Sequence, residues 1–357
     1  MAKMLMKGTE AIAEAAIQAG CRHFFGYPIT PQNEIPEYMS AHLPEVGGSY
    51  TQGESEVASI NMIMGAAATG YRVMTSSSSP GISLMSEGMS YIAFAEVPTV
   101  VVNVSRGGPG LGNILPAQGD YYQATKGAGH GDYSIIVLAP NNLQESVDLT
   151  QDAFELSQKY RTLTMILSDG FMGQMMEAVE INPRKAEDPL TNKEWGLGFM
   201  KQRGKSHVAL SMHLNPDKLE AHNVHLQAKY AKIKENEQRW ENYMLDDAEL
   251  VIASYGTTSR ICYSAIANLR EKGYKVGMVR PITLWPFPVK GFEAIPKCAK
   301  KIIDIEMSAS FQMADDVKLA TGCKIPVETF GRSGGYAPSV REVEDACIKA
   351  LNNVSPV

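Results

Sequence analysis

The chain has 357 residues, 44% of them hydrophobic and 20% charged, enough apolar material for about two ordinary domains and too much for a disordered chain or a coiled-coil rod. Its 33 basic and 39 acidic side chains leave a formal charge of −6, which argues against nucleic acid as a partner. No apolar run approaches the ~20 residues of a membrane helix, and the apolar part of residues 1–7 is too short for a secretory signal. The five cysteines (Cys21, Cys262, Cys298, Cys323 and Cys347) form no Cys-x-x-Cys, so neither an iron–sulfur nor a zinc framework is expected in this chain. An odd number of scattered thiols suits a reducing compartment, and a cytoplasmic location is expected.

Taken in chain order, residues 9–19 carry a helix pattern that stops at Gly20, a favourable C-terminal residue. A short strand at 23–26 follows, then helices expected near Thr30-Pro31, after Glu54 and after Pro80-Gly81. Apolar, β-branched runs at 97–104, 134–139 and 163–167 read as strands. Strongly apolar strands alternating with helices predict a mostly parallel sheet covered on both faces, over residues 1–181. Residues 182–205 are polar and turn-rich, an irregular connection. Residues 216–245 read as one long helix, with Leu219, Leu226, Tyr230, Ile233, Trp240 and Met244 along a narrow apolar seam. That seam suits packing on its own domain, with a subunit contact as the alternative. The 182–246 stretch is thus expected to link to a second α/β unit at 247–357, with strands at 250–254, 275–279, 301–305 and 325–330 and a final helix at 339–351.

Open α/β sheets bind ligands in the loops at the carboxyl ends of their strands, and three such loops carry candidate chemistry. In Gly26-Tyr27-Pro28-Ile29-Thr30-Pro31-Gln32, Thr30 is placed to cap a helix and Pro31 to open it, so free backbone N–H groups would face a carboxylate or phosphate. Plain capping explains the same residues. Gln52-Gly53-Glu54-Ser55-Glu56 precedes a helix that is apolar nearly all round and hence expected to be buried. Carboxylates at a helix start are favoured by its dipole, while one entering a buried segment is prepared to share a proton. In Ser105-Arg106-Gly107-Gly108-Pro109-Gly110-Leu111-Gly112-Asn113, an Arg closing an apolar strand can clamp a carboxylate with two parallel hydrogen bonds. The glycines have no dinucleotide-binding register. His222 and His225 lie three apart on the long helix without a visible third metal ligand, and a solvated helix face is expected for them.

These motifs occur in an order that resembles the alpha-type subunit of 2-oxoacid:ferredoxin oxidoreductases. The first domain contributes Tyr27-Pro28-Ile29-Thr30-Pro31, Gly53-Glu54-Ser55-Glu56, Ser76-Ser77-Ser78-Ser79-Pro80-Gly81, Arg106-Gly107-Gly108-Pro109 and Leu138-Ala139-Pro140. The second contributes Arg280-Pro281-Ile282-Thr283-Leu284-Trp285-Pro286-Phe287-Pro288, Glu306-Met307 with Gln312-Met313, and Gly331-Arg332-Ser333-Gly334-Gly335. The resemblance covers nearly the whole chain. The Ser-rich loop and Gly110-Leu111-Gly112-Asn113 look most like the branched-chain (2-oxoisovalerate) type. The 2-oxoglutarate type usually has Thr-Ser-Gly-Pro-Gly and Gly-Pro-Ser-Thr-Gly there. 2-Oxoglutarate or an aryl pyruvate remains the alternative substrate, and a non-catalytic interaction subunit the alternative of another class.

The resemblance implies a thiamine-enzyme pyrimidine-binding domain at 1–181 and a transketolase C-terminal-like α/β domain at 247–357. It implies oxidative decarboxylation of a 2-oxo acid to an acyl-CoA and carbon dioxide, with reduction of ferredoxin. Thiamine diphosphate would be shared with a beta-type partner that holds the diphosphate and Mg²⁺. Serine stands before Asp169-Gly170 where the diphosphate motif has glycine, in keeping with that division. Iron–sulfur clusters would sit on partners, among them a gamma subunit and a ferredoxin-like subunit. Carried over by position, Glu56 is the carboxyl that hydrogen-bonds the pyrimidine ring and promotes loss of the thiazolium C2 proton. Thr30 and Arg106 hold the substrate carboxylate, and Tyr27, Pro28, Ile29 and Ser79 join Glu56 against the cofactor.

Overall fold

Long apolar runs decide the central sheet. The computed structural model describes residues 3–184, 194–199, 201 and 204–352. Its first strands are β1 (Met4–Lys7), β2 (His23–Gly26), β3 (Ser49–Gln52), β4 (Val73–Ser77), β5 (Thr99–Ser105), β6 (Ile136–Leu138), β7 (Leu163–Asp169) and β8 (Met176–Val179). They are followed by β9 (Trp240–Tyr243), β10 (Leu250–Ala253), β11 (Val276–Pro281), β12 (Thr283–Trp285), β13 (Lys301–Glu306) and β14 (Val327–Gly331). Every residue of β4, β5 and β7 is buried. That is the pattern of parallel strands with helices on both faces.

Seven strands form the first sheet in the order β12-β6-β7-β5-β4-β2-β3, parallel except for β12, which runs against β6. β5 and β7 pair in register from Thr99–Leu163 to Ser105–Asp169, which sets Arg106 beside the start of the next helix. The second sheet has the order β14-β13-β10-β11-β9, and only β9 is antiparallel. β1 and β8 form a separate antiparallel pair. The strands expected from sequence fall on β2, β5, β6, β7, β10, β11, β13 and β14 with ends shifted by a few residues.

Two strands cross the expected boundaries. β12 lies beyond residue 247 yet completes the edge of the first sheet. β9 lies inside what reads as the long helix: that helix is Pro216–Asn236, and the chain then turns. The stop has a local cause. Glu237 is buried and accepts hydrogen bonds from Lys159 Nζ and the Tyr160 hydroxyl, both at 2.6 Å, which pins the helix end to the first domain. Trp240 can then pair with Pro281 on the edge of β11. Of the expected seam, Leu226, Tyr230 and Ile233 are buried, whereas Leu219 and Met244 are exposed. Residues 185–193, 200 and 202–203 of the expected irregular connection lie outside the described residues.

Polar side chains join the two sheets' layers. Arg280, 3% exposed on β11, donates two hydrogen bonds of 2.9 Å to Glu145 of the first domain and a third of 2.8 Å to Glu241. Burial opposes the charge, but these carboxylates outweigh it and hold the guanidinium's pKa above its usual value. Gln118 is the second joint: Oε1 accepts from Met307 N (2.9 Å) and Thr258 Oγ1 (3.0 Å), and Nε2 donates to Tyr255 O (2.9 Å). All its side-chain atoms are used on the second domain, as a buried amide requires. Among the described residues no helix is long and apolar enough to cross a membrane.

Candidate active site

The carboxyl ends of β2, β3, β4, β5 and β7 share one edge of the sheet, so the loops singled out in the sequence converge there. The loop after β2 is shaped by Gln32, which is fully buried. Its N–H donates to Ile29 O (3.1 Å), its Nε2 to Tyr27 O (3.2 Å), and its Oε1 accepts from Ser76 Oγ at 2.5 Å. Thr30 therefore sits in a turn rather than capping a helix. The Thr30–Pro31 peptide is cis, and the helix begins at Glu34. The Gln32 N–H closes the loop's own turn, and the helix start lies beyond the loop, contrary to the expectation that Thr30 caps it. Pro28 and Thr30 are exposed, and Tyr27 and Ile29 are half-buried.

Glu56 opens the Glu56–Ala68 helix, whose cap is the Ser55 hydroxyl accepting from Ala58 N at 3.2 Å. The Glu56 side chain is 5% exposed, and among the described residues no donor reaches its carboxylate. It lies tight against Gly81: a Cβ there would stand 2.7 Å from Glu56 Oε1 and 2.0 Å from the Ser77 hydroxyl, itself buried without a partner. Only glycine fits. This helix is not buried all round as its composition suggests. Ile60, Ile63 and Ala67 pack inward, with Ile60 against Gly88, while Val57 (47% exposed) and Met62 (39% exposed) face outward. The helix is apolar on two sides, and this chain covers one of them.

Arg106 follows β5 and is 9% exposed. Its backbone N–H donates to Ser79 Oγ (2.9 Å), and that hydroxyl donates to Asp120 Oδ2 (2.6 Å), which also accepts from Asn103 Nδ2 (2.9 Å). Burial pushes Asp120's carboxyl above its usual range, against the hydrogen bonds from Ser79 and Asn103. The guanidinium uses two of its five N–H groups on backbone carbonyls, Nη1 on Thr30 O (2.8 Å) and Nη2 on Leu111 O (3.1 Å). Nε is buried with no acceptor. An Arg held in this way has a positive fork to spare for a carboxylate. Thus Thr30 and Arg106 are in contact, Ser79 fixes Arg106 from behind, and Glu56 lies next to the start of the same Ser79–Ala95 helix.

A cavity of about 540 Å³ opens between the domains behind this edge, lined by Ser79, Asp120, the glycines after Arg106, Ser308, Ser310 and Ser333. Asp120, Gln118 and Gln32 support the site but carry no sequence signal beyond a polar residue in a loop. Asp169, which follows Ser168, caps the next helix: its Oδ1 accepts from Phe171 N (2.9 Å) and Met172 N (3.2 Å). His225 is 61% exposed, as expected of a solvated helix face, and His222 is half-buried. They contact the end of the Ser79–Ala95 helix, through Phe94 O (3.0 Å) and Glu96 (3.0 Å) respectively.

Residues 14–244 match the thiamine-diphosphate-binding domain of pyruvate flavodoxin/ferredoxin oxidoreductases, and residues 248–343 match core domain II of pyruvate:ferredoxin oxidoreductase. The chain belongs to the 2-oxoacid:ferredoxin oxidoreductase family. It is 48% identical to the ketoisovalerate oxidoreductase subunit VorB of Methanothermobacter marburgensis, over 96% of each chain. It is 39% identical to the 2-oxoglutarate synthase subunit KorA of Methanocaldococcus jannaschii, over 85% of this chain and 88% of that one. Among solved structures, it superposes with a TM-score of 0.87 and 27% identity on the 2-oxoglutarate:ferredoxin oxidoreductase of Magnetococcus marinus, covering 98% of this chain and 65% of that one. A split-gene transketolase shares the fold at a TM-score of 0.60 and 12% identity. In this oxidoreductase family, the Glu56 edge belongs to a thiamine-binding domain.

Proposed function

We propose that this chain is the pyrimidine-binding subunit of a coenzyme A-acylating 2-oxoacid:ferredoxin oxidoreductase that takes a branched-chain 2-oxo acid. The observation that carries the reading is a buried, donor-free Glu56 on the same sheet edge as an Arg106 with unused N–H groups. An aminopyrimidine ring fits this acid: a ring nitrogen can exchange one hydrogen bond with Glu56 where the chain offers none. When bound, thiamine diphosphate supplies the nucleophilic carbon and the electron sink for decarboxylation. Glu56 holds or gives up a proton at its carboxyl oxygen. Arg106 binds the substrate carboxylate and, with Thr30 beside it, orients the 2-oxo carbon. Ser79 and Asp120 fix the Arg106 backbone, and exposed Pro28 with half-buried Tyr27 and Ile29 forms a wall of the pyrimidine site.

Partners complete the enzyme: a beta-type chain for the diphosphate and Mg²⁺, and gamma and ferredoxin-like chains for coenzyme A and electron transfer, in the cytoplasm. The branched-chain substrate rests on the 48% identity to ketoisovalerate oxidoreductase subunits. The relatives called 2-oxoglutarate synthase, 34–39% identical, favour that acid as the second reading. The test is coenzyme A-dependent viologen reduction by the co-expressed complex with 2-oxoisovalerate, 2-oxoglutarate and pyruvate. Glu56→Gln should lower turnover about 10²–10⁴-fold with assembly intact. Near-normal turnover in that variant would remove Glu56 from the chemistry.

A further inference from the structure

The loop after Arg106 has an unusual division of labour. Gly112 is at φ +57°, and a Cβ there would stand 1.6 Å from Gly107 O, so the turn requires glycine. Asn113 ties the loop down: its N–H donates to Gly107 O (2.8 Å), its Oδ1 accepts from Leu115 N (3.0 Å), and its Nδ2 donates to Gly334 O of the second domain (3.0 Å). Leu115 packs over Gly335, where a Cβ would come within 2.4 Å of it. Leu111 and Ile114 are left projecting outward, 78% and 59% exposed. Yet the carbonyl of Leu111 is 3.1 Å from Arg106 Nη2, the group that would face the substrate carboxylate.

We infer that Leu111 and Ile114 form the subsite for the substrate's side chain and select an uncharged, branched aliphatic group over a second carboxylate. The inference rests on the 2-oxo acid reading of Arg106. A 2-oxo acid is short, so once its carboxylate is on Arg106 the C3 substituent must lie within a few ångströms of the adjoining loop. Between Gly107 and Ala117 the one polar side chain is Asn113, whose amide is already committed to Leu115 and Gly334. The side chains of the loop therefore offer a second carboxylate no cation, and desolvating a charge there without one is costly. Two branched aliphatic side chains offer an isopropyl or isobutyl group a favourable contact. Discrimination worth one or two methylenes is about 10- to 200-fold.

The experiment compares kcat/KM for 2-oxoisovalerate, pyruvate and 2-oxoglutarate in the co-expressed complex carrying Leu111→Ser with Ile114→Ser. The expected result is a fall of about tenfold or more in the 2-oxoisovalerate-to-pyruvate ratio, carried by KM, with Leu111→Met and Ile114→Val retaining the ratio. A general loss of structure would lower both substrates together and leave the ratio unmoved. An unchanged ratio in a complex that prefers 2-oxoisovalerate overturns the subsite alone. A wild-type preference for 2-oxoglutarate overturns both the subsite and the branched-chain reading. Failure of the serine and the conservative variants alike to bind the partner chains would assign Leu111 and Ile114 to a subunit contact and overturn the subsite.

Discussion

Two strands end near the same interdomain cavity with buried charge, and they are built for opposite purposes. β5 ends at Arg106, whose guanidinium keeps N–H groups unspent and whose backbone is fixed by the Ser79–Asp120 pair. β13 carries Asp304 and Glu306, two positions apart on one strand face and both fully buried. Glu306 Oε1 caps the helix Met313–Ala320 through Met313 N at 2.8 Å, while among the described residues its Oε2 and both oxygens of Asp304 meet no donor but each other's carboxyl. Burial, reinforced by the neighbouring carboxyl, pushes Asp304 well above the usual carboxylate range, which favours its neutral form. A cation at a strand end with N–H groups unspent is prepared for a ligand. An acid pair closed inside the core is structural, its role to hold the helix whose Gln312 grips Gly119 and Tyr122.

The contrast can be broken from either end. The largest expected effect is at β5: Arg106→Ala in the assembled complex should raise KM for the 2-oxo acid about 10- to 100-fold, the worth of charge-assisted hydrogen bonds to a carboxylate. Steady-state kinetics that leave KM unmoved would place carboxylate binding elsewhere. Next is the joint between the two ends. Gln118→Ala strands Met307 N in the core and should cost about 1–3 kcal/mol in denaturant unfolding. The smallest effect is at β13. Asp304's folded pKa is raised, so above the unfolded carboxyl value of about 3.9 the native state retains a proton that the unfolded chain has lost. Stability attributable to this group is therefore full at low pH and falls as pH rises toward the folded pKa. Asp304→Asn should raise Tm by about 2–4 °C near pH 8 and leave it unchanged near pH 3. An equal gain at both pH values would show that its charge is not what the fold resists.

The legible parts of this protein are those where one residue's chemistry suffices. The buried strands at 99–105 and 163–169 announce themselves by apolar composition, and Arg106 by closing one of them. Glu56 stands out as an acid at the start of an apolar helix. Local propensity favours Thr30-Pro31 at a helix start, whereas Gln32, reaching across to Ser76 on β4, closes a turn there. The helix running to 245 failed for a similar reason. Glu237 finds Lys159 and Tyr160 nearly eighty residues away, contacts invisible to any periodicity. Asp120 and Gln118 matter only through partners on other elements.

By itself the sequence determined the class of fold, the alternation of strands and helices, and which polar residues stand at strand ends. These follow from composition and short-range periodicity, which act within a few residues. The tertiary structure decided that β12 joins the first sheet, that Thr30 and Arg106 meet, and that Glu56 lies against Gly81. Those outcomes depend on long-range pairing and on which buried polar groups find partners, and both are settled only when the sheets close over the core.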